Sequence, residues 1–204
     1  MKFLDLHVHS SLSTGRDTPE KMLEQSRVLG SEIGLCDGVK GEWPSGIEIH
    51  AERKKDLKAK LRETLEYTLI HGGDYNINRL AVADKRVDIL AHPNLERRDS
   101  GVDSIIARAA GENKVAIEVN LGRVINSWGL NRVYVIRNIH RYLMLARKYS
   151  MPLVATTGAK SFIELRGGEG VHHLLRLMGF EEEEAINAMY EVPIKILGGE
   201  LKSR

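Results

Sequence analysis

The run Asp5-Leu6-His7-Val8-His9 sets a carboxylate and two imidazoles at alternate positions of the first apolar stretch of the chain. Successive side chains of a strand point to opposite faces, so Asp5, His7 and His9 are expected on one face and Leu4, Leu6 and Val8 on the other. Imidazole nitrogen and carboxylate oxygen are the usual ligands of zinc, iron and manganese. A polar loop, Ser10-Ser11-Leu12-Ser13-Thr14-Gly15, follows at once. This is the start of a metal centre.

Other ligand types stand at the ends of later apolar runs. Asp37 follows the second in Gly34-Leu35-Cys36-Asp37-Gly38, and His92-Pro93 closes the run 87–91. Glu118 and Asn120 share a face at the end of 115–120, and Thr156-Thr157-Gly158-Ala159-Lys160-Ser161 follows the last run. A single histidine at a strand end is ordinarily a hydrogen-bonded structural residue. Five ligand-type residues (His7, His9, Asp37, His92 and Glu118) at four strand ends point instead to one shared pocket. No serine or cysteine arrangement for nucleophilic catalysis is visible.

The elements that must position these residues alternate along the chain. Strands are expected over 3–8, 32–36, 46–50, 67–71, 87–91, 115–120 and 152–156, and helices over 19–29, 53–63, 102–112, 131–149, 170–178 and 181–190. Such alternation implies a parallel sheet, open or closed into a barrel, with function gathered at the carboxyl ends of the strands. Thr18-Pro19 starts a helix, Gly30 and Gly179 end two others, and Glu181-Glu182-Glu183-Glu184 opens one against its positive dipole end. No repeat or linker divides the chain, so residues 1–204 are expected to form one domain.

Composition narrows the class. Of 204 residues, 42% are hydrophobic and 28% charged, as in a soluble globular protein, and no apolar run is long enough for a bilayer. Cys36 is the one cysteine, which excludes an internal disulfide and suits a reducing cytosol; a cytoplasmic location is expected. Net charge is only +2, so a nucleic acid would have to be held by local basic patches.

At the ligand positions the chain resembles the polymerase and histidinol phosphatase (PHP) family of metal-dependent phosphoesterases. His7-Val8-His9 and Asp37 match its opening motifs, and His92 and Glu118 match its middle ligands. Gly38 stands where that family has a histidine, and Gly158-Ala159-Lys160 replaces its closing Asp-x-His. Glycine cannot ligate and an ammonium repels a divalent cation. The comparison therefore implies a vestigial or single weak metal site, with Lys160 expected to neutralise Glu118 or Asp37.

A second resemblance spans nearly the whole chain. It is to the archaeal ribonuclease P protein component 3 family, relatives of a eukaryotic ribonuclease P/MRP subunit and divergent members of the first family. It is carried by Val87-Asp88-Ile89-Leu90-Ala91-His92-Pro93, Lys114-Val115-Ala116-Ile117-Glu118-Val119-Asn120, Ala146-Arg147-Lys148-Tyr149, the segment 152–160 and Leu165-Arg166-Gly167-Gly168-Glu169. It implies an α/β fold, an irregular TIM-like (β/α) barrel of the PHP type. The implied function is that of a protein subunit helping a catalytic RNA remove the 5′ leader from precursor tRNA. The implied partners are ribonuclease P RNA, precursor tRNA and a Pop5-type protein. No cofactor is intrinsic, Mg2+ serves the RNA, and the isolated polypeptide is non-catalytic.

For RNA, Arg16, Lys40, Arg97, Arg98, Arg123, Lys160 and Arg166 all follow strand ends and could rim one face. A second candidate is the stripe Arg137, Arg141 and Lys148 on the helix 131–149, whose Val133, Ile136, Ile139, Leu143 and Ala146 read as core. The densest basic stretch, Arg53 to Arg62, is interleaved with Glu52, Asp56 and Glu63 and reads as an ordinary charged helix. Aromatic residues are only 5%, which favours recognition of structured RNA by shape and backbone over base stacking. Two further readings stand beside the RNA subunit: a stand-alone metal-dependent phosphoesterase, and a module that binds protein alone.

Overall fold

A computed structural model describes residues 1–62 and 65–201. Seven strands are present among them: β1 (Leu4–Val8), β2 (Glu32–Leu35), β3 (Gly46–Ile49), β4 (Tyr67–His71), β5 (Ile89–Ala91), β6 (Ala116–Asn120) and β7 (Leu153–Thr156). Each expected strand is found, trimmed by at most two residues at an end. All ladders are parallel, in two sheets ordered β1-β2 and β3-β4-β5-β6-β7. Isolated bridges join the sheets: Leu35 to Ser45, parallel, and Asp37 to Ile47, antiparallel, on one side, and Val8 to Ala159, parallel, on the other. His9 N–H donates to Ala159 O at 2.9 Å across the second junction. The strands thus make a TIM-like round in chain order, closed by bridges where a regular barrel has ladders.

The helices are α1 (Pro19–Val28), α2 (Lys54–Lys60), α3 (Tyr75–Val82), α4 (Ser104–Asn113), α5 (Leu121–Asn126), α6 (Gly129–Tyr149), α7 (Gly168–Leu177), α8 (Glu182–Ile186) and α9 (Val192–Leu197), with a π-helical turn at Asn187–Glu191 between the last two. Thr18 caps α1 by accepting from Lys21 N–H, and Glu181 and Glu184 form a reciprocal capping box at α8. Gly30 and Gly179 take positive φ after α1 and α7, as the end signals require. Arg53 pairs with Asp56 at 2.9 Å as in an ordinary charged helix; Glu63, the expected end of that helix, lies outside the described residues. No helix among the described residues is long and apolar enough to cross a membrane.

Alternation divides the apolar residues. Leu69, Ile89, Ala116 and Val154 pack with Leu4 and Leu6 in one cluster, while Ile70, Leu90, Ile117 and Ala155 join the helices in a larger one. Strict alternation fails on β1. The register shifts between Asp5 and Val8, so Leu4 and Leu6 share the inner cluster although His7 also reaches Glu118 on β6; Val8 packs outside with Met22 and Leu35. On α6 the expected core is also revised. Val135, Ile139, Tyr142 and Leu143 are buried, whereas Val133 and Ile136 are exposed, Val133 standing about 200° around the helix from Val135.

Candidate functional site

Because every ladder is parallel, the loops that follow the strands all emerge at one end of the round. There β1, β3, β4, β5 and β6 bring five imidazoles around two carboxylates. Glu118 lies on β6 and is fully buried. Its Oε1 meets His7 Nδ1 at 2.5 Å and accepts from Thr156 Oγ1 at 2.6 Å and Asn120 Nδ2 at 3.1 Å. Its Oε2 accepts the His92 backbone N–H at 2.7 Å. Glu48, on β3, is the second hub. Its Oε1 is 2.7 Å from His71 Nδ1 and 3.5 Å from His7 Nε2, and its Oε2 is 3.2 Å from His50 Nε2 and 3.3 Å from His9 Nε2.

The rings also pack on one another. His50 and His71 stack at 4.1 Å between centroids, whereas His7 and His92 are tilted at 4.8 Å and His71 and His92 meet edge-on at 5.0 Å. His92 is held at a positive φ of 47°, a conformation few residues adopt without support. The support is a polar clamp on its loop: Asn78 Nδ2 donates to Pro93 O and Gly101 O, and Tyr142 OH donates to Ser100 O, all buried. His92 Nδ1 lies 3.1 Å from Glu118 Oε2 without the alignment of a hydrogen bond.

These contacts set the charges. Burial alone would raise the carboxyl of Glu118, but His92 and His7 hold it well below the usual range. Glu48 is likewise driven down, against its burial, by the surrounding imidazoles. Burial alone would lower the His7 imidazole; Glu118 and Glu48 reverse this and lift it to about 10. Asp5 goes the other way. Burial pushes its carboxyl up to about 6 although Thr157 and the His7 N–H donate to it.

The donor set suits a divalent ion. Donor atoms of His7, His92 and Glu118, of Glu48, His50 and His71, and of His7, His9 and Cys36 each fall within 4.8 Å of one another. Imidazole and carboxylate donors of this kind hold zinc, iron or manganese, and such an ion supplies positive charge and Lewis acidity when bound.

Of the candidates read from the sequence, His7, His9, His92 and Glu118 converge. Asp37 is placed differently: its carboxylate is taken by Ser10 N–H at 2.9 Å, by Ser10 Oγ at 2.5 Å and by Ser13 Oγ, and it stands 3.9 Å from His9 Nδ1. It secures the loop after β1. Lys160 neutralises neither Glu118 nor Asp37. Its side chain is exposed, and both carboxylates are already satisfied by the donors named above. Glu48, His50 and His71 escaped the sequence reading, although they close β3 and β4 on the same strand-end criterion that selected His92 and Glu118.

Arg16, Lys40, Arg97, Arg98, Arg123 and Lys160 follow the strands at this end of the fold, but not all as free charges; Arg166 does not join them, because the next residues, Gly167 and Gly168, lie against Leu29 O and Met1 O at the amino end of the round. Lys40, Arg98 and Lys160 are exposed. Arg16 is paired with Glu164 at 2.5 Å, and Arg97 with Asp99 at 2.7 and 2.9 Å. Arg123 is half-buried, with Nη1 enclosed beside the pocket of His92, Asn120 and Tyr142, and Arg166 donates to Ile163 O and Leu165 O. On α6, Arg137 donates to Arg98 O at 2.7 Å and so helps to hold the loop after β5.

Comparison with known proteins places this geometry. The family model described as RNase P subunit p30 matches residues 37–203, a span that leaves His7 and His9 outside it. The chain is 34% identical over 211 residues to ribonuclease P protein component 3 of Methanococcoides burtonii, covering 96% of this chain and 87% of that protein. It is 37% identical over 214 residues to the protein of that name from Methanosarcina acetivorans, covering 96% and 89%. Among solved structures, a chain in a cryo-EM structure of archaeal ribonuclease P with mature tRNA superposes with a TM-score of 0.81 at 26% identity, over 97% of this chain and 90% of that one.

Proposed function

Since the chain belongs to the RNase P subunit p30 family, we propose that it works within ribonuclease P as a protein subunit in the 5′ maturation of tRNA, with the chemistry carried by the RNA. The observation that carries this reading is the near full-length likeness, in sequence and in fold, to ribonuclease P protein component 3 and to a chain of the assembled archaeal enzyme. Endonucleolytic tRNA processing is thus an activity of the holoenzyme, and this polypeptide alone is not the catalyst.

The RNA contact is assigned to the carboxyl-end rim, with Lys40, Arg98 and Lys160 leading because their charges face solvent. Phosphate contacts of this kind release counterions and weaken steeply with salt. Arg16, Arg97 and Arg123 support the loops there and add charge second. A Pop5-type protein is the expected partner on another surface, Mg2+ the ion of the RNA, and the cytoplasm the setting.

The imidazole–carboxylate centre at the mouth of the round is read as a site for one divalent ion that ties strand ends together. What favours this is the convergence of His7, His9, His71 and His92 on Glu48 and Glu118 within a family whose holoenzyme leaves the protein no hydrolytic task. Equilibrium dialysis of the chain against zinc and manganese, read by metal analysis, tests it. About one ion per chain is expected, and no retained ion would reject the centre. Filter binding to the cognate ribonuclease P RNA, against an unrelated RNA of equal length across a salt series, tests the RNA assignment. A clear preference for the cognate RNA is expected, and equal binding to both would reject it.

A further inference from the structure

One stretch of the chain is charged in one sense only. Residues 119–163 hold seven arginine and lysine residues and neither aspartate nor glutamate, although the whole chain has 28 acidic residues among 204. The stretch builds α5, α6 and β7. Between the two helices Trp128 stands 75% exposed, followed by Leu130 at 72% and Val133 at 57%. Large apolar side chains left together in water mark a surface that another molecule covers.

The indole is held in place. Arg132 Cζ lies 5.0 Å from the centroid of the Trp128 ring, within the range of a cation–π contact. The guanidinium is itself anchored, because Nε donates to Ser127 O at 2.7 Å and Nη2 to Ile125 O at 3.0 Å. Arg132 thus covers one face of the ring, and the high exposure of Trp128 leaves the opposite face to solvent. The arrangement recurs along the helix. Arg137 Cζ is 5.0 Å from the Tyr134 ring, and Arg137 also donates to Arg98 O, which joins α6 to the charged rim after β5. Arg141 and Lys148, exposed on the same helical stripe as Arg137, carry positive charge further.

Charge decides the occupant. A protein partner is also gripped through Trp, Tyr and Arg, but the centre of such an interface is depleted of charge. Here guanidinium groups lie against both rings and along the stripe, and the stretch has no carboxylate to offset them. A planar ring over an anchored cation, beside a row of cations, is instead a stacking step for a nucleobase with phosphate contacts beyond it.

We propose that Trp128, backed by Arg132, stacks on an unpaired base of structured RNA, while Arg141 and Lys148 meet the phosphate backbone further along α6. The inference rests on the RNA-subunit reading above and extends its contact surface from the rim to the outer face of α6. It adds one anchored base to recognition made otherwise through backbone and shape.

Tryptophan fluorescence of the full chain, titrated with the cognate ribonuclease P RNA, tests this. The RNA should quench the unaltered chain beyond Trp128→Phe, in which only Trp43 emits. A fully paired RNA duplex should leave Trp128 emission unchanged, and equal quenching by it would overturn the unpaired base. In filter binding, Trp128→Ala should weaken the cognate RNA roughly 5- to 150-fold, the worth of one base–aromatic stack, and Trp128→Phe should restore most of that. The salt slope should stay unchanged in Trp128→Ala, since no phosphate contact is lost, and fall by about one in Arg141→Glu. Trp128 is exposed, so neither replacement threatens the fold. Preferential binding of the cognate RNA with no Trp128 quenching and no loss in Trp128→Ala would overturn this inference and leave the subunit reading standing. Equal binding of cognate and unrelated RNA would remove both. Quenching by the other protein subunits but not by RNA would overturn it and give the surface to a protein.

Discussion

Glu48 on β3 and His71 on β4 meet at 2.7 Å at the carboxyl end of the sheet, two residues beyond the register pair Glu48–Leu69. The pair shows how the fold assembles its centre. Parallel register carries the ends of the strands to one height, and Glu48 then serves four imidazoles: His7 on β1, His9 just after it, His50 just after β3 and His71 on β4. A buried carboxylate so placed is satisfied only while those rings, or an ion between them, remain.

Glu48→Ala should therefore destabilise the metal-free chain by about 3–5 kcal/mol, the usual result of removing one partner from a buried ion pair. Urea denaturation in EDTA measures it. A loss below about 1 kcal/mol, typical of an exposed pair, would mean that the carboxylate does not organise the rings.

The protonation of His7 gives a pH dependence of definite sign. Burial lowers its imidazole, but Glu118 and Glu48 carry it to about 10, above the ordinary 6.5. The folded state thus holds the proton more tightly than the unfolded chain. This contribution is complete below about pH 6.5 and is lost as pH rises through 10. The denaturation midpoint in EDTA should fall between pH 7 and pH 10, and His7→Gln should remove that fall. Metal binding runs oppositely, because an ion needs the neutral ring: zinc affinity should rise over the same interval. A flat stability profile in the unaltered chain would contradict the pairing.

The loop that carries His92 depends on Gly101, whose φ is 65° and whose substituted Cβ would lie 1.8 Å from Pro93 O. Gly101→Ala should cost at least the roughly 1–3 kcal/mol of a strained backbone and should displace His92. Thermal melting reports the first effect and zinc content the second. An unchanged melting temperature would show that the loop repacks at no cost.

Much of this fold could be read from residue order, for physical reasons. The seven strands are short apolar runs bounded by Gly, Pro or charge, and parallel sheets bury both faces, so the runs stand out. The short helices α3, α5 and α9 did not stand out; α9 carries the expected helix 181–190 on through the π-helical turn. The cap of α3, Asp74 accepting from Asn76 and Ile77 N–H, reads as part of the loop after β4, and the cap of α5, Asn120 accepting from Arg123 N–H, is the last residue of β6 and reads as strand. The site was half legible. His7, His9, His92 and Glu118 were found from strand-end position, whereas Glu48 and His50 sit in Gly46-Ile47-Glu48-Ile49-His50, where a charged residue between isoleucines reads as the solvent side of an edge strand. Only the closing of the round turns that side inward. Asp37 was legible as a residue type but not in its role, because the serines that bind it belong to another strand's loop.

The rim account separates charges that sequence alone treats as equal. Lys40→Glu, Arg98→Glu and Lys160→Glu should each weaken binding to ribonuclease P RNA and lower the salt slope by about one. Arg16→Glu and Arg97→Glu should act less on affinity, since Glu164 and Asp99 already offset those charges. Equal effects at all five positions would show that the ion pairs open when RNA binds.

The most direct test of the central claim is cleavage of precursor tRNA by the cognate ribonuclease P RNA, assembled from its protein subunits with this chain present or left out, beside the chain alone on the same substrate. The account predicts that omission slows leader removal and that the chain alone releases no leader. Leader removal indifferent to its omission, together with phosphodiester cleavage by the isolated chain, would contradict it and assign the histidine centre to hydrolysis.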